Sequence, residues 1–214
     1  MDKGTHTRDR ILERAFRLAS RDGLDGLTLG TLATDLGMSK SGLFAHFASK
    51  EHLQLEVLRV AVRRFEDTVL RPALEQARGL PRLDKLFRLW LDWLRDPESS
   101  GCIFVVASTE SDDQERDVGR FLAEQHGQLL QTLTRLVRAA VQERQLRPGV
   151  DTRQVAFEIH GIVLAAHFAR RLLRDPDATN RALRAYERLL LDAGRQASET
   201  EKHDRSFNET GRAK

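Results

Sequence analysis

The sequence predicts an all-α protein, with an N-terminal three-helix unit containing a helix-turn-helix and a C-terminal helical bundle. Three observations predict it. Apolar residues recur at 3.6-residue spacing along most of the 214 residues, and only five prolines interrupt them. The one apolar run that could pass for a strand, Cys102-Ile103-Phe104-Val105-Val106-Ala107, has no second strand to pair with and reads as buried helix. Finally, Leu27 to Lys50, LTLGTLATDLGMSKSGLFAHFASK, reads as two short helices around a tight turn.

Met1 to His6 is polar and reads as a mobile arm. A helix follows from Thr7 to Asp22, with Ile11, Ala15, Leu18 and Ala19 on one face and arginines over much of the rest. Most of those arginines suit a solvated face, while Arg8 and Arg10 sit near the start, where a helix beside DNA could reach phosphate. Gly23 and Gly26 close this helix and lead into the central motif.

In the motif, the first helix runs from about Leu29 to Leu36, Gly37-Met38-Ser39 turns the chain, and the second runs from about Lys40 to Phe47. Thr28, Ser39 and Ser49 each precede a helix with a hydroxyl able to accept from an orphaned N–H. Leu32, Ala33, Leu36, Leu43 and Phe47 fall where two steeply crossing helices touch, and Gly37 gives the turn a permissive backbone. Such a unit offers its second helix to the DNA major groove.

A long helix from Lys50 then carries apolar residues to Val69 and stops at Arg71-Pro72. Gly79-Leu80-Pro81 breaks the chain before an apolar helix from Leu83 to Leu94, and Asp96 to Gly101 reads as a loop. Glu110 to Glu115 is a polar, acidic segment ahead of a long helix from about Val118 to Arg144. Pro148-Gly149 turns into a helix from Thr152 to Leu173, with Asp151 and Gln154 resembling a capping pair. Asp175-Pro176-Asp177 turns into the last helix, Ala178 to about Gln196. The domain reading is 1–50 for DNA binding, 51–196 for the second domain and 197–214 for a disordered tail.

The last two helices carry a further signal. Gly161, Ala165 and Ala169 form a ridge of small residues flanked by Ile162, and Leu183, Tyr186 and Leu190 recur at similar spacing on the final helix. Two such helices suit packing on the rest of their own domain or, equally, a four-helix bundle with the same pair from a second subunit. A lone helix-turn-helix reads few base pairs, so a homodimer through these helices is expected.

Composition bounds the rest. With 40% hydrophobic and 31% charged residues and a net charge of +3, the chain reads as an ordinary globular protein compatible with nucleic acid. The single cysteine excludes an intramolecular disulfide framework, the polar start lacks a signal peptide, and no apolar run is long enough to span a membrane. A soluble, cytoplasmic protein without a membrane partner is expected.

The motif and its lead-in, ILERAFRLASRDG followed by GLTLGTLATDLGMSKSGLFAHFASKEHL, resemble the DNA-binding domain of the TetR family of transcriptional repressors. The resemblance covers roughly Thr7 to Val57. It implies that Lys40, Ser41, Gly42 and Ala45 face base edges, and that Thr28, Ser39, Phe44, His46 and Lys50 touch the phosphate backbone. Many relatives have Tyr where this chain has Phe44, so a hydroxyl contact is lost there. Gly42 and Ala45 read no base by hydrogen bonding, which leaves thymine methyl contact or DNA shape.

By the same resemblance the C-terminal half holds an effector pocket. Its candidate lining is Phe87, Trp90, Leu91, Trp93, Leu94, Cys102, Phe104, Phe121, Leu122 and His126, any of which also suits ordinary core. His160 and His167 are assigned to that pocket or to the dimer seam. The expected function is a ligand-responsive regulator, a repressor released from a pseudo-palindromic double-stranded operator by a small hydrophobic effector. A helical ligand-binding or adaptor protein without specific DNA binding is the alternative.

Enzymatic readings fare poorly. The acids Glu110, Asp112, Asp113 and Glu115 lie in a polar segment without a nearby histidine, Cys102 and His126 have no third group to orient them, and neither zinc spacing nor a phosphate-binding glycine loop is present. No cofactor, metal or catalytic residue is expected.

Overall fold

The computed structural model describes residues 3–96, 102–110 and 117–194, and among these every regular element is a helix. In chain order they are α1 (Lys3–Asp22), α2 (Leu29–Leu36), α3 (Lys40–Phe44), α4 (Lys50–Phe65), a π-helical turn (Glu66–Leu70), α5 (Arg71–Leu74), α6 (Leu80–Arg95), α7 (Ile103–Glu110), α8 (Asp117–Gln142), α9 (Thr152–Arg171) and α10 (Ala178–Gly194). The predicted tail beyond 196, most of the Asp96–Gly101 loop and most of the acidic segment after Glu110 lie outside the described residues.

All three hydroxyl caps form. Thr28 Oγ1 accepts from Thr31 N at 3.0 Å while Thr31 Oγ1 accepts from Thr28 N at 3.1 Å. Ser39 Oγ accepts from Gly42 N at 3.1 Å, and Ser49 Oγ accepts from His52 N at 3.0 Å. Each satisfies a donor that the first helical turn leaves open. Gly37 ends α2 at φ 63°, in the left-handed region where a Cβ is costly.

Beyond shifts of one to three residues at other helix ends, four predicted features differ. Residues 3–6 continue α1 instead of forming an arm, and Met1 and Asp2 lie outside the described residues. α3 ends at Phe44, since the His46 N–H bonds three residues back to the Leu43 carbonyl and tightens the last turn. Asp151 caps α9 as expected, but Gln154 does not close a capping pair, because its side chain donates to Glu158 instead.

The fourth of these features lies at Pro72, where the helix does not stop. Proline has no N–H for the Thr68 carbonyl, and its ring would collide with that carbonyl in a regular helix. The chain widens ahead of it, so that the Arg71 N–H reaches back five residues to the Glu66 carbonyl, and then runs on to Leu74. Wide turns of this kind recur at functional sites.

One hydrophobic cluster runs from Ile11 of α1 to Ala193 of α10. α1 lies on α4, and the α2–α3 pair closes over them through Leu32, Leu43 and Phe47, all fully buried. Downstream, α6 packs on α8, and α9 packs between α8 and α10. Because α4 belongs to both groups, the N-terminal unit and the bundle share their core.

The corner between α1 and α2 is held from outside as well. Glu110 Oε2, at the end of α7, accepts from Leu24 N at 2.7 Å and from Asp25 N at 3.4 Å. Gln54 Nε2 of α4 donates to the Leu24 carbonyl at 2.8 Å, and Arg171 of α9 donates to the Arg21 carbonyl at 3.0 Å. Gly23, at φ 86°, has a second reason to be glycine, since any Cβ there would overlap the Glu110 carboxylate.

Candidate nucleic-acid interface and ligand cavity

The helix-turn-helix presents a polar edge built on a rigid base. Leu43 and Phe47 anchor the second helix in the core, which leaves Ser39, Lys40, Ser41 and Ala45 exposed around it and Gly42 and His46 half-buried. Ser39 and Ser41 lie with hydroxyls 3.2 Å apart. Lys40 runs across Gly30 of α2, where an added Cβ would meet Lys40 Cε at 3.6 Å and Thr28 Oγ1 at 3.7 Å. Thr28 and Lys40, distant in sequence, are therefore neighbours on one edge. Phe44 is a large apolar side chain 53% exposed beside them, with nothing in the protomer to cover it.

Two cations considered for phosphate have partners within the protein. Arg8 bonds Glu56 at 2.9 Å and lies over the Phe47 ring at 5.0 Å, so it braces the fold. Lys50 donates to the Asp25 carbonyl at 2.9 Å, although its side chain remains exposed. Arg10 is exposed. Arg14 forms a two-pronged pair with Asp35 at 2.5 and 2.7 Å, which locks α1 to α2 and holds the Asp35 carboxyl below its usual range.

The bundle contains a cavity of about 250 Å³ between α4, the π-helical turn, α6, α7, α8 and α9. Of the predicted lining it takes Trp90, Cys102, Phe104 and His126, together with His160. Phe87, Leu91, Trp93, Leu94, Phe121 and Leu122 do not line it. Phe87 stacks on Tyr186 at 4.0 Å, Trp93 meets Phe65 edge-on at 5.7 Å, and Leu91, Leu94 and Leu122 are core, while Phe121 packs half-buried against that core. The lining that sequence reasoning missed comes from Val62, Phe65, Glu66 and Leu70 on the connecting helix and from one face of α8. A signal existed on α8, where Gln125, Leu129 and Thr132 recur at i, i+4, i+7 on the face that should be wholly apolar.

The cavity's polar groups are the imidazoles of His126 and His160, the amides of Gln125, Gln128 and Gln131, the Thr132 hydroxyl, and the charged side chains of Glu66 and Arg135. His126 and His160 meet edge to face at 5.8 Å, and His160 leans on Trp90 at 5.9 Å. Ser108 Oγ donates to the Phe104 carbonyl at 2.7 Å and so accepts from His126 Nε2 at 2.9 Å, which puts the proton of the neutral ring on Nε2. That polarity gives Ser108 no base. Burial pushes the Cys102 thiol up, so the Cys102–His126 pair shares a cavity without forming a thiolate nucleophile. His167 lies outside the cavity, buried with Nδ1 accepting from Cys102 N at 3.5 Å.

Burial lowers the pKa of His126 and His160, with His126 adding repulsion on His160, and it lowers that of His167. A neutral ring in the fold and an ordinary one in the unfolded chain mean that the unfolded state binds more protons below pH about 6.5. Stability is therefore complete above that pH and falls as the pH drops toward the depressed values. The melting temperature should decline between pH 7.5 and 5, and the combined His126→Asn, His160→Asn variant should show a shallower decline.

On α9 and α10 the predicted seam residues divide. Gly161 and Ala165 are exposed, and Ile162, Ala169, Leu183 and Leu190 are half-buried. Tyr186 is corrected: it is 3% exposed and turned into its own protomer, where its hydroxyl donates to Asp84 at 2.7 Å. The outer face of α9 also carries Phe157 at 64% and Phe168 at 46% exposure, and Leu172, which caps its C-terminal end, is 75% exposed. With Gly161 and Ala165 they make one continuous stripe, legible as a helical period once the buried face is known.

A helix-turn-helix fused through its last helix to a cavity-bearing helical bundle defines a class of DNA-binding regulatory proteins. The chain belongs to the TetR family. Residues 11–57 match the family described as bacterial regulatory proteins of the tetR family, and residues 79–186 match the tetracyclin repressor-like C-terminal domain. Over 80 residues it is 36% identical to the HTH-type transcriptional repressor AcnR of Corynebacterium glutamicum, which is 37% of this chain and 43% of that one. The match thus spans less than half the length of that relative.

A TetR-family transcriptional regulator from Streptomyces coelicolor shares the fold at 22% identity, with a TM-score of 0.79 over 89% of this chain and 97% of the other. AibR, solved in complex with isovaleryl coenzyme A and operator DNA, also shares it, at 22% identity and a TM-score of 0.68 over 87% and 97%. Among the described residues no helix is long and apolar enough to cross a membrane, and no group of three metal-ligating side chains occurs.

Proposed function

We propose that the protein is a homodimeric, ligand-responsive transcriptional repressor of the cytoplasm. Two recognition helices occupy successive major grooves of a pseudo-palindromic operator, about 34–36 Å apart. A small, largely apolar effector in the bundle cavity releases it. The observation that carries this reading is that α4 and its π-helical turn form a wall of the cavity through Val62, Phe65, Glu66 and Leu70, while the start of the same helix packs under the DNA-binding unit through Leu53 and Val57. The working boundary at residue 50 therefore divides roles along a continuous structure. That a fold neighbour holds an acyl thioester together with operator DNA supports the same pairing of ligand and DNA.

Base reading falls to Lys40 and Ser41, with Gly42 and Ala45 allowing close approach. Thr28, Ser39, Phe44, His46 and Lys50 take the backbone side. Lys50 reaches phosphate by leaving the Asp25 carbonyl. The effector must bind the DNA-incompetent state more tightly than the competent one, since equal affinity shifts nothing. A second path joins cavity to DNA-binding unit, because α7 contributes Phe104 and Val105 to the cavity and Glu110 to the Leu24–Asp25 corner. Glu110→Gln should leave effector affinity within about twofold while reducing the factor by which effector changes operator affinity, as coupling carried by one charged hydrogen-bonded contact amounts to roughly 1–2 kcal/mol. An unchanged factor in titrations with and without DNA would assign the coupling to α4 alone.

The dimer rests on the exposed stripe of Phe157, Gly161, Ala165 and Phe168 on α9 with Leu172 at its C-cap, continued by Leu183, Leu190 and Leu191 of α10. The experiment that tests the whole reading introduces a charge into it. Phe168→Glu should sediment as a folded monomer and lose operator binding, whereas the unaltered chain sediments as a dimer and binds. A variant that stays dimeric would remove this seam, and a monomer that binds the operator fully would remove the two-fold mechanism.

A further inference from the structure

Three arginines that lack acids converge on a second, open cavity of about 510 Å³. Arg135 and Arg138 reach it from α8, about one turn apart on the same face, and Arg153 reaches it from the first turn of α9. All three are exposed. Leu130, Ala156 and Phe157 supply the apolar part of the wall.

Nothing in the groove neutralises this charge. No carboxylate lines it, and among the described residues none pairs with any of the three arginines. The chain carries no acid between Glu124 and Glu143. Asp151, close to Arg153 in sequence, turns its carboxylate to the α9 cap, where Oδ1 accepts from Arg153 N at 2.9 Å and from Gln154 N at 3.0 Å. Glu158 takes the Gln154 amide at 2.7 Å. Arginines elsewhere do find acids, as Arg8 finds Glu56 and Arg14 finds Asp35. Arg153 also stands at a helix N-terminus, where the macrodipole is positive and a cation is unfavourable, and no acid occupies that turn.

The groove is remote from the DNA-facing edge. Arg171, at the other end of α9, donates to the Arg21 carbonyl of α1 at 3.0 Å. A rise of about 1.5 Å per residue puts Arg153 roughly 27 Å from that contact along α9. Of the three arginines only Arg135 also borders the enclosed cavity. Neither operator phosphate nor an apolar effector accounts for the set.

We infer that this groove binds a chain of two or more phosphates, free or carried on a nucleoside, at a site distinct from the operator edge and from the effector cavity. A guanidinium group pairs with phosphate oxygens two at a time, and arginines presented by two helices span more than one phosphate. A single phosphate leaves part of the set unpaired. A nucleoside at the end of the chain has the apolar wall to lie against.

The test is calorimetric titration of the full-length protein with tripolyphosphate, orthophosphate and ATP in magnesium-free buffer. Tripolyphosphate should bind about tenfold or more tightly than orthophosphate, with affinity falling as salt rises. Arg138→Gln combined with Arg153→Gln should weaken it about tenfold or more. The melting temperature and sedimentation coefficient should stay as in the parent, because both side chains are exposed and pair with no acid among the described residues. Arg184→Gln with Arg188→Gln, which removes two exposed charges from α10, should change the affinity by less than about twofold, as should Lys40→Ala with Ser41→Ala. ATP binding no more tightly than tripolyphosphate assigns the site to the phosphate chain alone, and tighter ATP assigns it to a nucleotide; both uphold the site. Tripolyphosphate that fails to bind, or binds no better than orthophosphate, overturns it, as does a preference that survives the loss of Arg138 and Arg153. A preference lost equally with the α10 pair or the recognition-helix pair overturns it too, since diffuse charge or the DNA edge would then hold the anion.

Discussion

Lys40→Ala combined with Ser41→Ala is expected to lower specific operator affinity about a thousandfold without unfolding the protein. These two exposed side chains are the polar groups at the start of the recognition helix. Gly42 brings no side chain and Ala45 only a methyl. Each contact to a base edge contributes about 1–3 kcal/mol, so two at roughly 2 kcal/mol each amount to about three decades. Nothing in the core changes, because Leu43 and Phe47 carry the packing and Ser39, which caps the helix, is retained. Fluorescence anisotropy on operator and on scrambled DNA, beside circular dichroism, checks both halves. Affinity for scrambled DNA should fall much less, since backbone contacts supply nonspecific binding.

Phe47→Ala should act differently, abolishing operator and nonspecific binding together by melting the N-terminal unit. Phe47 is fully buried beneath the Arg8 guanidinium and meets His52 edge-on at 6.2 Å. Truncating such a phenylalanine costs about 3–5 kcal/mol, from lost transfer energy and from the void left behind. In a chain of this size that lowers the melting temperature by roughly 6–20 °C. It also releases Arg8 from its ring while leaving the Glu56 pair. Thermal unfolding followed by circular dichroism measures the shift. A variant that melts as the parent does would mean that the second helix is not anchored through this residue.

How much of this could be seen in the sequence differs by region. The helix-turn-helix was legible almost completely, because its information is local. A capping hydroxyl, a left-handed glycine and two apolar contacts per helix determine it, and all lie within 24 consecutive residues, Leu27 to Lys50. The fate of Arg8 and Lys50 was not legible. Their partners Glu56 and Asp25 lie 48 and 25 residues away, and no spacing rule links them.

The cavity was legible only in part for a related reason. Every apolar residue of α6 looks equally suited to a pocket or to core, and the crossing of α6 with α8 and α9 decides which faces inward. Trp90 turned to the void and Phe87 to Tyr186, one helical turn apart. The π-helical turn could have been anticipated from Pro72, had the collision with the Thr68 carbonyl been weighed against simple helix termination. Tyr186 was misassigned because small and large apolar residues alternate around α10, so periodicity alone does not say which stripe faces the protomer.

The exposed edge at Ser39–Ser41 is expected to read DNA as a dimer under the control of the bundle cavity. The most direct measurement is a gel-shift titration of the full-length protein on DNA upstream of its own gene and of its neighbours, at 50 and 200 mM salt. One discrete dimer complex is expected on a pseudo-palindromic site, weakening steeply with salt as phosphate-bound counterions are released. Binding that shows no site preference, or no complex on any of these fragments at either salt concentration, would contradict it.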